Sequence, residues 1–111
     1  MARITVTAAA VHQIGRQLAL KPLPSPVLAV WWSPGQKDVR RGSKGETIWE
    51  TTEEVGWKVH LLDWSDMPDD QRPTDRLHGV EVWFSPYGRE GIAEVVVDHH
   101  NGKYVVSERA I

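Results

Sequence analysis

The densest chemistry in the chain lies in VVVDHHNGKY, residues 95–104, where Asp98, His99 and His100 close a run of valines. Carboxylate and imidazole together are ligands for divalent metals, iron included. Neighbours on a strand point to opposite faces, so His99 and His100 are not expected to grip one ion together. Asp98 and His100 share a face, but Lys103 sits beside them and its charge opposes a cation. A closed site asks for three or four ligands, and His12, His60 and His78 lie on distant segments. The competing reading is a hairpin. Asn101-Gly102 between two β-prone arms predicts a type I′ turn, whose central residues both need positive φ. It pairs His100 with Lys103, His99 with Tyr104, Asp98 with Val105 and Val97 with Val106. His99 against Tyr104 is then a cross-strand pair.

Other chemistry is weaker. The Asp-His-His triplet resembles that of the phosphoesterases named for it. Their two metals need aspartates from several strands, and no Asp-x-Asp element occurs here. Lys37, Arg40, Arg41 and Lys44 lie between Trp31, Trp32 and Trp49, a mixture that suits single strands of nucleic acid. Glu46, Glu50, Glu53 and Glu54 follow at once and cancel much of that field. Ser33, Ser65 and Ser85 sit in no nucleophile elbow. GSKGE (42–46) lacks the strand–loop–helix frame of a phosphate cradle. The residues therefore predict no enzyme and no cofactor. Exposed tryptophan and arginine instead favour a partner surface or self-association. The candidates are Trp32, Arg40, Arg41, Trp49 and Trp83.

A chain of 111 residues is expected to form one domain. Its net charge of −2 gives no general attraction to nucleic acid or anionic membranes. The absence of cysteine removes disulfides and thiolate ligands. No apolar run is long enough for a membrane span and no signal peptide is legible, so a cytoplasmic location is expected.

The elements that must position these residues follow from periodicity. ITVT (4–7) predicts a short strand, and Thr7 the N-cap of a helix through AAAVHQIGRQLAL. Val6 and Val11 suit a hydrophobic staple, and Val11, Ile14 and Leu18 form the apolar stripe, with Gln17 on the polar side. Gly15 suggests close approach to another backbone. KPLPSP (21–26) ends the helix and serves as a connector, with a polyproline-type ligand as the lesser alternative. VLAVWW (27–32) predicts a central strand and 33–46 a charged loop. TIWETT (47–52) and GWKVHLLDW (56–64) predict two strands joined by an acidic turn. Residues 65–75 read as a loop and GVEVWFS (79–85) as a half-buried strand.

ITVTAAAVHQIGRQLA resembles the opening of the HesB-like, A-type iron–sulfur carrier family. GWKVHLLDWSDMPDDQRPTDRLHGVEVWFSPY is similar to that family's middle, and VVVDHHNGKYVVSE to its last hairpin. The resemblance implies a small α+β domain with one helix packed on antiparallel or mixed strands, spanning 1–111, with a charged loop or hairpin insertion at about 33–55. The family's chemistry rests on three cysteines, and none is present here. The implied function is a non-enzymatic accessory or protein-binding domain without cluster ligands. The alternatives are divalent-metal binding through Asp98, His100 and other histidines, and weak nucleic-acid binding by the 37–44 loop.

Overall fold

The computed structural model describes residues 2–71 and 73–110; the side chains of 36–38 and 48–53 lie outside that description. The chain begins with strand β1 (Arg3–Val6) and helix α1 (Ala8–Leu20). A long ribbon follows, formed by β2 (Pro26–Ser33), β3 (Gln36–Arg41), β4 (Thr47–Glu53) and β5 (Gly56–Asp63). Beyond a short 3₁₀ turn come β6 (Asp75–Leu77), β7 (Val80–Ser85), β8 (Ile92–His100) and β9 (Lys103–Ala110). One sheet has the order β1-β8-β9 and the other β5-β2-β7-β6, and each mixes parallel with antiparallel neighbours. One helix and mostly strands in two mixed sheets is compatible with the α+β class.

The core lies between the inner faces of these sheets. Leu28 and Val30 of β2 and Val82 of β7 meet Val95 and Val97 of β8, all fully buried, while Ala10 and Ile14 of α1 complete the cluster. Alternation along each strand produces this directly, because every second side chain shares a face. The helical stripe behaves as the spacing predicts: Ile14 is buried, and Val11 and Leu18 pack against the cluster. Gln17 lies off that stripe, half-buried, and its Oε1 accepts a 2.6 Å hydrogen bond from the Tyr104 hydroxyl. Gly15 departs from its expected close approach. Nothing lies within 4 Å of where its Cβ would sit, so no backbone approaches it. Gly15→Ala is therefore expected to raise stability by about 0.5–1 kcal/mol, seen as a higher urea midpoint.

Thr7 caps α1 as its position predicts, its Oγ1 accepting from the Ala10 amide at 3.3 Å. The same hydroxyl donates to Asp98 Oδ1 at 2.6 Å, which ties the helix start to β8. The Asp98 carboxylate also accepts from the His99 amide at 2.8 Å. These two hydrogen bonds, the Thr7 bond first, hold its pKa below the usual carboxylate value against the opposing effect of burial. The stabilisation they carry is present above the unfolded-state pKa, about 3.9. It is lost as pH falls through the lower, folded-state value. Thr7→Ala should cost about 1 kcal/mol at pH 7. Asp98→Asn should flatten the acid limb of a urea-midpoint-against-pH curve, and an acid limb equal to that of the unmodified protein would refute the linkage.

The ribbon corrects two expectations. Residues 36–41 form a strand rather than part of a loop, and β4 pairs with β3 rather than with β5. The two arms run antiparallel in two stretches: β2 against β5 at the base, β3 against β4 at the tip. Ladder pairing stops at Ser33 and Gly56 and resumes at Gln36 and Glu53. Pro34 has no N–H to donate, and Gly35 takes φ 86°, a conformation that side-chain-bearing residues avoid. The acidic turn is thus a break in a longer hairpin. Six residues of β3 extend about 20 Å beyond the sheet. The molecule accordingly measures 54 × 37 × 33 Å, with a radius of gyration of 16.5 Å.

Candidate functional site

The candidate partner residues fall into three places. Arg40 and Trp49 face each other in register on the ribbon tip, where Arg40 is exposed and the side chain of Trp49 lies outside the described residues. Arg41 is turned into the tip itself. Its Nη1 donates to Gly45 O at 3.4 Å and to Thr47 Oγ1 at 3.3 Å. The turn is closed by Gly42 N donating to Glu46 O at 2.8 Å, and Lys44 N donates to Glu46 Oε2 at 3.1 Å. Among the basic residues Lys37, Arg40, Arg41 and Lys44, Arg41 is therefore committed to local structure. Lys37 lies outside the described side chains.

Trp32 stands at the ribbon's base, on the inner face of the four-stranded sheet. Its ring meets Trp57 edge-on at 5.5 Å, and Trp57 stacks on Phe84 at 6.0 Å. The Arg89 guanidinium lies 5.2 Å from the Trp32 ring centroid. Arg89 also pairs with Glu108 through Nη2 at 2.9 Å and Nε at 3.2 Å, and Trp57 Nε1 donates to the same carboxylate at 3.0 Å. Burial alone would raise the Glu108 pKa. The hydrogen bonds from Arg89 and Trp57 and the Arg89 charge outweigh it and bring the pKa below the usual value. These contacts fasten the end of β9 to the ribbon base. Trp32 is thereby a half-buried part of a lock between sheets.

Trp83 lies on the opposite face of that sheet. There it approaches Trp31, with ring centroids 6.3 Å apart, and Trp31 approaches His60 at 5.3 Å. Trp32 and Trp83 therefore do not share a surface. Both faces of β2 are occupied: Leu28 and Val30 meet the core, while Val27 and Ala29 on the other face are also buried, Ala29 beside Met67 and Pro68 of the segment that follows β5. A cavity of about 210 Å³ remains on this outer face, bounded by Ala29, Trp31, Trp83, Met67, Pro68 and Asp66 among others. Trp31, Ala29 and His60 were not legible as a group. Their convergence depends on which strands flank β2, and only the outward position of Trp83 was a signal.

The Asp98–His100 stretch has the predicted hairpin geometry. All four predicted pairs occur, and Asn101 (φ 51°) and Gly102 (φ 78°) adopt the positive φ of the turn. His99 meets Tyr104 in a T-shaped contact at 5.3 Å. Asp98 is occupied by Thr7, and His100 is exposed on the other face from His99. Among the described residues no group of three or more His, Asp or Glu side chains is placed to hold a metal ion.

A groove runs between two sheet edges, β5 and β9. Its two parts, of about 330 and 580 Å³, share Val59 and Tyr104. The C-terminal turn of α1 overhangs the larger part with Gln17, Leu20 and Lys21. Among the described residues no helix is long and apolar enough to cross a membrane. No family model, no curated protein and no solved structure matches this chain.

Proposed function

We propose that this protein is a non-enzymatic binding domain whose recognition element is the ribbon tip, residues 36–53, carried on a HesB-like scaffold. The observation that supports this most is the projection of β3 and β4 beyond the sheets, each strand paired only with the other among the described residues. Each outer edge then offers a row of backbone donors and acceptors to an added strand. Charge distinguishes the edges. β3 carries Lys37, Arg40 and Arg41 against Asp38, whereas β4 carries Glu50 and Glu53. A two-fold dimer through one edge would set like against like, because such a contact joins the same patch on both copies. The fitting partner is an extended acidic segment of another protein, laid along β3. The absence of cysteine leaves the scaffold no thiolate to hold an iron–sulfur cluster.

The test uses the intact protein and a tip-excised form as parallel baits. Partners retained by the first and lost from the second are then purified and titrated against Arg40→Glu and Trp49→Ala. Binding should weaken tenfold or more in Arg40→Glu and fall with added salt. A purified partner held equally by all forms would refute the ribbon as the contact surface.

A further inference from the structure

The outer-face cavity has a construction of its own, independent of the ribbon. Strand register places Ala29 between His60 on β5 and Trp83 on β7, with Trp31 two residues along β2. A methyl group surrounded by large rings forms the floor of a pit, and Ala29 is 1% exposed. The Trp31 and Trp83 rings form two walls, inclined at 50° with centroids 6.3 Å apart. Met67 and Pro68 form another wall, and Asp66 lies at the margin. Asp66 is the one acidic residue among the lining residues, and its side chain has no hydrogen bond or ion pair among the described residues.

We propose that this pit binds a methylated ammonium group. Indole faces carry negative charge density and attract cations, most strongly where water is excluded. Methyl groups suit the apolar walls, whereas a bare ammonium is strongly hydrated and resists transfer. The surrounding segment has the complementary sign: residues 63–75 contain Asp63, Asp66, Asp69, Asp70 and Asp75 against Arg72 alone. Lys58 stands opposite Trp31 in the register but does not line the pit. An uncharged apolar ligand would use the walls and leave Asp66 unused.

The experiment is a titration of the full chain followed by the indole N–H resonances of the six tryptophans. The probes are choline and its uncharged isostere, in which a tert-butyl group replaces trimethylammonium. Choline should shift the Trp31 and Trp83 signals and bind about tenfold more tightly than the isostere. Asp66→Asn should narrow that ratio, and Trp83→Ala should abolish binding. Arg40→Ala, on the ribbon, should change nothing. Asp66 is exposed, so its substitution remains informative if Trp83→Ala does not fold. A peptide carrying trimethyllysine that binds more tightly than choline would assign the head group to a partner protein; the reverse would assign it to a free small molecule. Equal binding of the isostere, tighter binding of methylguanidinium, or unshifted Trp31 and Trp83 signals would overturn the proposal.

Discussion

Leu28→Ala is expected to lower the free energy of unfolding by about 2–5 kcal/mol. Leu28 is fully buried on an interior strand, flanked by Leu61 on β5 and Val82 on β7. It faces the valines of β8 across the core. Truncation removes apolar burial and leaves a cavity that two hydrogen-bonded sheets cannot readily collapse to fill. A domain of this size has about 5–15 kcal/mol of stability in total, so the variant should unfold at a much lower urea concentration. The slope of the transition should be unchanged. Leu20→Ala is the matched control. Leu20 is 87% exposed, and its loss should shift stability by less than about 0.5 kcal/mol. Similar midpoints for the two variants would mean that the sheets do not pack face to face as described.

Removing the ribbon tip should have the opposite character, with a large change of shape and a small change of stability. Ser33 and Gly56 are already opposite each other in the ladder, so Asn-Gly in place of residues 34–55 closes the base as a two-residue hairpin. A two-stranded ribbon is marginal in isolation, and none of the tip's described side chains belongs to the buried core. The unfolding free energy should therefore change by no more than about 1 kcal/mol. The radius of gyration, measured by small-angle scattering, should fall from 16.5 Å towards the roughly 12 Å of a compact chain of the remaining length. An unchanged radius would show that the body itself is elongated. Unfolding of the shortened protein would show that the tip belongs to the core.

Features written in a few consecutive residues were legible. Thr7 and the Val11–Ile14–Leu18 spacing define α1, and Asn101-Gly102 sets the register of β8 on β9. The alternation in VEVWFS places Val82 and Phe84 inside and Trp83 outward. Features that depend on distant pairing were not. TIWETT is equally ready to pair forward or backward. The choice of β3 is decided by the continuation of β2 and β5 into one ribbon, which no local pattern encodes. For the same reason Trp32 and Trp83 were grouped although they lie on opposite faces. Trp31 and Trp83 lie 52 positions apart in the chain, and their approach follows from the parallel register of β2 on β7. Glu108 gave no sign of its contact with Trp57, because a glutamate alternating along an edge strand ordinarily faces water.

The pairing of β1 with β8 has a consequence for synthesis. Val6 lies beside Val97 and Thr7 N donates to Val97 O at 2.9 Å, so the first elements dock on nearly the last. At about 5–20 residues per second, a ribosome needs roughly 5–20 s to deliver that partner strand. Throughout this interval Ile4, Val6 and the apolar stripe of α1 lack the surface that buries them. The nascent chain should therefore be a client of holding chaperones until β8 and β9 emerge, and its high contact order places folding among the slower small domains.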